Sequence, residues 1–291
     1  MNEKYIFFQK KCDIISYMKK ILDVKLIALD LDDTLLNDDR QISDRNAEVL
    51  RECVENGIYV VLCSGRAEDA ILPFVRRLEI AGREEGRFII AINGSSIFDL
   101  HKRQQIFCKK VESDILTRTD EIAEAHGLKS EVYTPDTIFY SEENEWTRLD
   151  VEMCGLKGQK VENYKEFIRQ GFTKMLVPGD PGKLQQIQKE LREEFGERAV
   201  IFTSKPYFLE ILPPECGKGE AVSWLSEKLG IGIEKTMGFG DSMNDESMIR
   251  MTGYGVAMKN GLPEIKNIAD FVTDNDNNND GIADFLRKHV L

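Results

Sequence analysis

Short apolar runs alternate with helical patterns over the first and last thirds of the chain. Residues 25–30 (KLIALD), 58–63 (IYVVLC), 88–92 (FIIAI), 236–240 (TMGFG) and 254–258 (YGVAM) are almost continuously apolar. Runs of this length predict strands buried on both faces. Between the first two, residues 43–56 carry Ala47, Leu50 and Val54 at helical spacing, with Gly57 as the stop. A second helix is expected after Gly65 and a third over residues 219–229. Strand–helix–strand alternation predicts an α/β fold, a parallel sheet with helices on both faces. In such sheets a ligand binds beyond the C-terminal ends of the strands.

The middle of the chain has a different texture. Residues 112–126 predict a helix. Residues 181–195 predict another, with Leu184, Ile187 and Leu191 on one face. Residues 131–134 and 137–140 predict a strand pair around Pro135 and Asp136, and residues 199–203 and 208–212 predict strands flanking Lys205 and Pro206. Residues 95–206 are therefore expected to form an α+β module inserted into a core made of residues 25–94 and 207–291. Its hinges are expected at residues 93–95 and 204–206. Residues 1–24 are read as an N-terminal extension without an assigned role. The sequence contains no internal repeat.

Composition narrows the partners. The 291 residues are 42% hydrophobic, enough for a sizeable core, and carry a formal net charge of −12. An acidic chain is a poor candidate for nucleic acid or an anionic membrane surface. No run approaches the roughly 18 apolar residues of a membrane span. No apolar leader with a small-residue cleavage site is evident, so a cytoplasmic protein is expected. Cys12, Cys53, Cys63, Cys108, Cys154 and Cys216 form no C-x-x-C pair, which predicts reduced thiols rather than zinc ligands. His101, His126 and His289 match no metal or triad spacing. The oligomeric state is not legible from composition.

The chemistry gathers at predicted strand ends. Asp30-Leu31-Asp32-Asp33-Thr34 closes the first strand. Residues two apart on an extended chain point to one side, so Asp30 and Asp32 can address one point above the sheet edge. Taken alone, such a pair reads first as a solvated acidic turn closing a strand. A second cluster, Asp241 to Asp245 after the strand at 236–240, changes the weighing. Oxygen ligands from two strand ends suit a hard cation, and Mg²⁺ is the common choice. Ser64-Gly65-Arg66 follows the second strand and offers a hydroxyl and a helix N-terminus that favours anions. Lys218 lies between Gly217 and Gly219 at the start of a predicted helix, where it can neutralise a phosphate or hold Asp30 ionised.

In this order the segments resemble the haloacid dehalogenase-like superfamily, and within it the Cof-type phosphatases with a large inserted cap. The resemblance runs from about residue 25 to 291. It is carried by DLDDTLL at 30–36, SGR at 64–66, NG at 93–94, FLEILPPECGKGEAV at 208–222, GFGDSMNDESMI at 238–249, AMKN at 257–260 and DNDNNNDGIADFL at 274–286. Ser64 stands where many relatives have Thr, with the hydroxyl retained, and the glycine spacing around Lys218 is slightly unusual.

The resemblance implies a Rossmann-like parallel core and Mg²⁺-dependent hydrolysis of small phosphorylated metabolites, sugar phosphates first. It implies that Asp30 is the nucleophile and that Asp32 donates and then accepts a proton. Ser64 and Lys218 would bind phosphoryl oxygens, with Thr34, Gly65, Arg66, Asn93 and Asn244 on the phosphate side. Asp30, Asp32 through its main-chain carbonyl, and Asp241 would hold Mg²⁺, with Asp245 supporting the metal site and Asn260 a further supporting candidate. Asp32 must be an acid in one step and a base in the next, so its pKa is expected near neutrality. Arg66 has two readings, a substrate contact or a structural salt bridge. Phosphosugar mutase-type transfer and a non-catalytic phosphometabolite sensor remain the alternatives.

Other motifs fail. Residues 276–281 begin like a calcium loop, but Arg287 stands where the closing Glu is needed, so a polar turn is expected. Gly238 and Gly240 lack the third glycine of a dinucleotide fingerprint, since Met243 fills its place. In the cap, Tyr140, Glu142, Arg148 and Lys174 are open between facing substrate and facing water.

Overall fold

The structure is a computed structural model that describes residues 21–80 and 85–291. Most of the expected extension at 1–24, and Cys12 with it, lies outside the described residues.

Two sheets organise the chain. The core elements are β1 (Leu26–Leu29), α1 (Asp44–Glu55), β2 (Tyr59–Cys63), α2 (Glu68–Arg77), β3 (Phe88–Ala91), β4 (Ser96–Asp99) and β5 (Gln104–Cys108). The cap adds α3 (Ser113–Ala125), β6 (Glu131–Tyr133), β7 (Thr137–Tyr140), α4 (Glu145–Cys154), β8 (Lys157–Lys160), β9 (Met175–Pro178), α5 (Pro181–Phe195), β10 (Val200–Lys205) and β11 (Phe208–Leu212). The core resumes with α6 (Lys218–Lys228), β12 (Thr236–Gly240), α7 (Glu246–Met251), β13 (Tyr254–Ala257), α8 (Pro263–Ile268), β14 (Phe271–Val272) and α9 (Gly281–His289).

The core sheet runs β14-β13-β12-β1-β2-β3-β4-β5, parallel as far as β3. Side chains alternate along β1. Ile27 and Leu29 pack with Leu50, Ile71 and Phe285, on the face of α1, α2 and α9. Leu26 and Ala28 pack with Val222, Leu225 and Met248, on the face of α6 and α7. Burial on both faces is why the strand reads as an unbroken apolar run. The chain steps outward from β1 through β2 and β3, and returns to fill the other side through β12. The sheet order therefore switches at β1, and a crevice opens beyond its C-terminal end.

The expected module boundaries move by about a hairpin at each end. β4 pairs antiparallel with β3, and β5 antiparallel with β4, so residues 96–108 belong to the core and not to the insertion. They escaped notice because β5 is an edge strand whose residues are all at least partly exposed, so it lacks the apolar run of the central strands. At the far end β11 pairs with β10 and β9 in the six-stranded cap sheet, β10-β11-β9-β6-β7-β8. A tight hairpin keeps both strands in one sheet, and a boundary at residues 206/207 would cut it in half. The main chain itself marks the crossing: Lys109 N–H donates to Ser95 in the core, whereas Val111 N–H donates to Phe172 in the cap. The cap core is separate, built on Val132, Met175, Leu184, Ile187, Leu209 and Ile211. The predicted helical stripe of Leu184, Ile187 and Leu191 is fully buried there.

Candidate active site

A wide turn leads out of β1. Leu35 N–H donates to Asp30 O and Leu36 N–H to Leu31 O, with Asp33 in the left-handed region at φ 60°. Asn260 Nδ2 donates to Asp33 O at 2.6 Å, and Asn277 Nδ2 to Leu36 O at 2.9 Å. The calcium-like segment is thus a polar turn ahead of α9 that clamps the loop beside the site.

Three distant segments meet at this turn. Lys218 opens α6, is fully buried, and donates to Asp30 Oδ1 at 2.5 Å and to Asp245 Oδ1 at 2.6 Å. The other oxygen of Asp245 accepts from the main-chain N–H of Asp241 at 2.9 Å and of Ser242 at 3.2 Å. Thr34 Oγ1 donates to Asp241 Oδ1 at 3.0 Å. Carboxylate oxygens of Asp30, Asp241 and Asp245 lie within 4.8 Å of one another. Burial works against the Lys218 charge, but Asp245 and Asp30 outweigh it and keep the ammonium protonated. Burial, then the neighbouring Asp245, pushes Asp30 well above the usual carboxylate range and Asp241 up to about 7. Once all are ionised, the three carboxylates against one ammonium carry a charge of −2, which a divalent cation would balance. An all-oxygen donor set of this kind fits Mg²⁺.

The remaining candidates divide. Ser64 is buried, its hydroxyl accepts from Arg66 N–H at 3.2 Å, and it lines a cavity of about 650 Å³ with Asp30, Asp32, Gly65, Arg66 and Asn93. Asn244 lines it too, donates to Asn93 Oδ1 at 3.2 Å and accepts from Ser242 Oγ at 2.6 Å. Asn93 sits in a run of three positive φ angles, Ile92 at 50°, Asn93 at 50° and Gly94 at 97°. A β-branched residue held there is strained backbone at the rim of the site. Gly94 is needed because a Cβ would lie 2.2 Å from Gly217 O, just before Lys218. Thr34 departs from its expected place: it is fully buried beneath Asp241 and away from the cavity wall. Its short side chain, turned inward, orients the carboxylate of Asp241.

Asp32 is the main correction. Arg66 grips its carboxylate with two hydrogen bonds, Nε to Oδ2 at 2.9 Å and Nη2 to Oδ1 at 2.6 Å. Burial would raise the Asp32 pKa, but these bonds outweigh it and hold the carboxyl below its ordinary value rather than near neutrality. The guanidinium also lies over the Phe74 ring at 5.5 Å. Arg66 is in a salt bridge here, and it also lines the cavity. The Asp32 side chain stands outside the acidic cluster of Asp30, Asp241 and Asp245.

The cap closes the cavity from above with Asp150, Lys174, Leu176, Phe202, Phe208 and Glu210. Of the four cap candidates only Lys174 lines it. Arg148 pairs with Glu143 on the surface, and the Tyr140 hydroxyl turns to the same Glu143. Glu142 is exposed. Asp150 and Glu210 were missed in sequence. The Glu210 signal was a single acid inside the apolar strand FLEIL.

The family model for haloacid dehalogenase-like hydrolases matches residues 27–286. A 5-amino-6-(5-phospho-D-ribitylamino)uracil phosphatase of Bacillus subtilis is 32% identical, over 95% of this chain and 100% of its own length. A second B. subtilis phosphatase, YwpJ, is 31% identical over 92% of this chain and 100% of its own. The crystal structure of a haloacid dehalogenase-like hydrolase from Bacteroides thetaiotaomicron superposes with a TM-score of 0.84 at 31% identity, covering 91% of this chain and 99% of that one.

Proposed function

We propose that this chain, which belongs to the haloacid dehalogenase-like hydrolases and is a phosphatase of their Cof type, hydrolyses small phosphorylated metabolites through an aspartyl-phosphate on Asp30. Sugar phosphates are the first substrate class. The supporting observation is the placement of Asp30: its carboxylate lines the cavity on one side and is held by buried Lys218 on the other.

Asp30 Oδ attacks phosphorus in line. The bond to the leaving oxygen breaks, and Asp32 hands that oxygen a proton. Water then attacks the aspartyl-phosphate, Asp32 takes the proton back, and the bond between phosphorus and Asp30 breaks to release inorganic phosphate. Two displacements replace one difficult step. Asp32 serves as acid once Arg66 turns from it toward the entering phosphate, an anion that competes for the same guanidinium. Ser64 and main-chain N–H groups at the start of α2 hold phosphoryl oxygens. Lys218 orients Asp30 and offsets the repulsion between carboxylate and phosphate. Asp245, with both oxygens taken, fixes Lys218 and the loop of Asp241. Asp30, the carbonyl of Asp32 and Asp241 are the residues that would hold Mg²⁺, which supplies charge neutralisation at the phosphoryl oxygens.

Cys53, Cys63, Cys108, Cys154 and Cys216 are free thiols, which suits a reducing, cytoplasmic compartment. Among the described residues no helix is long and apolar enough to cross a membrane. The test is release of inorganic phosphate from p-nitrophenyl phosphate and a metabolite panel, with Mg²⁺ and without it. Asp30→Asn, folded by circular dichroism, should abolish release. Unimpaired turnover by that variant, or none by the native protein, would overturn the reading.

A further inference from the structure

The cap half of the cavity holds charged groups that the hydrolytic step does not use. Lys174 immediately precedes β9, and Glu210 is the centre of the neighbouring antiparallel strand β11. Their side chains are each 7% exposed, with Nζ 3.2 Å from Glu210 Oε2. That oxygen is buried against the Lys174 ammonium. Asp150, on α4, accepts from the Tyr133 hydroxyl, and the Lys174 ammonium stands 4.5 Å over the Tyr133 ring. Lys174, Glu210 and Asp150 all line the cavity whose floor is Asp30.

A buried ion pair is a poor stabiliser compared with apolar residues of similar volume. Its presence in a strand otherwise made of Phe, Leu and Ile needs another reason. Glu210 and Asp150 line the ligand cavity, and a carboxylate in such a wall can accept from a hydrogen-bond donor brought by the ligand. Charge then decides what kind of ligand. Glu210 already neutralises Lys174, and Asp150, which shares the Tyr133 hydroxyl with buried Glu131, leaves the group net negative. A hydroxyl or amine finds acceptors here, whereas a second phosphate or a carboxylate meets like charge. Leu176, Phe202 and Phe208 supply apolar wall for the carbon skeleton between the donors.

We propose that Lys174, Glu210 and Asp150 form the subsite that reads the leaving group, and that it selects a neutral, donor-bearing group such as a polyol over one carrying a second anion. This rests on the phosphatase reading above. The lone charges in the cap strands are then specificity residues that act on the substrate's far end, while Asp30 and its neighbours act on phosphorus.

Glucitol 6-phosphate and 6-phosphogluconate test it, because they differ by a terminal alcohol against a carboxylate. The native enzyme should favour glucitol 6-phosphate in kcat/KM by about tenfold or more. Glu210→Gln uncovers the Lys174 charge and should shift the ratio about tenfold toward 6-phosphogluconate, a change that a purely structural role would not produce. The double variant Lys174→Met with Glu210→Leu removes both charges, leaves no unpaired buried ion, and should bring the ratio toward parity. Native discrimination that survives in both variants, or a native enzyme without preference, overturns the assignment. Turnover of p-nitrophenyl phosphate by the native enzyme separates the two failures. If it hydrolyses that ester but shows no preference, only the subsite is wrong; if it hydrolyses nothing with Mg²⁺, the phosphatase reading falls and this inference with it.

Discussion

Stripping divalent cations should make the stability of the protein fall as pH rises through the weakly acidic range. Asp30, Asp241 and Asp245 crowd the single ammonium of Lys218. Asp241 sets the magnitude, since burial and then Asp245 raise its carboxyl from 3.8 to about 7. Between those values the native state keeps a proton that the unfolded chain has released. The unfolded state binds fewer protons, so stability declines as pH increases. About three units at roughly 1.36 kcal/mol each set a ceiling of about 4 kcal/mol. Asp241 is only partly buried and shares its proton with its neighbours, so about half of that is expected. Asp30, displaced in the same direction, adds to the trend. Mg²⁺ should reverse it. Only ionised carboxylates bind the cation, so its stabilisation, about 2.7 kcal/mol at a hundredfold excess over Kd, grows with pH. Urea unfolding followed by circular dichroism, at several pH values between about 4 and 7.5, in EDTA and in Mg²⁺ at matched ionic strength, measures both slopes. Asp241→Asn should flatten the EDTA curve. Parallel EDTA and Mg²⁺ curves, or an EDTA curve that climbs with pH, would refute the reasoning.

Three further outcomes follow from the same geometry. Lys218→Met leaves Asp30 and Asp245 buried without their partner and should cost about 3–5 kcal/mol in urea unfolding, together with phosphatase activity; a loss below about 1 kcal/mol would contradict a buried ionic contact. Arg66→Ala releases Asp32 from the bonds that hold its pKa down, so the alkaline limb of kcat/KM should move to higher pH, and an unmoved limb would mean that Asp32 is not the acid. Gly94→Ala places a Cβ 2.2 Å from Gly217 O at a φ of 97°, and should lower the denaturant midpoint by the equivalent of about 1–3 kcal/mol while disturbing Lys218; an unchanged midpoint would show that the close approach is not needed.

The core and the placement of Asp30 and Asp241 were legible because strands buried on both faces leave continuous apolar runs, and acids at the ends of such runs stand out; Lys218 was marked instead by the glycines on either side of it at a helix start. Spacing brought Asp245 near Asp241 but did not show which way its carboxylate turns. Only tertiary packing sets one oxygen on Lys218 and the other on two main-chain N–H groups. The Arg66–Asp32 fork joins residues 34 apart through a choice of rotamer, which no local pattern records. Thr34 was misplaced for the same reason, since a hydroxyl in a turn has no periodicity to say whether it faces the cavity or Asp241.

In the cap a usable signal was present but was not weighed. Every residue of β11 is buried, so the Glu in FLEIL had to find an internal partner or a ligand. Lys174 opens the run MLVP on the adjacent strand and supplies that partner. Arg148, by contrast, lies two residues before buried Asp150 on the same helix, about 200° around its axis, and its side chain reaches Glu143 on the surface. Charge in a cap therefore points to a ligand when it interrupts a buried strand, and to solvent when it decorates a helix. By that criterion Glu210 and Lys174, rather than the more numerous charges of α3 and α5, are the residues whose substitution should change what the enzyme accepts.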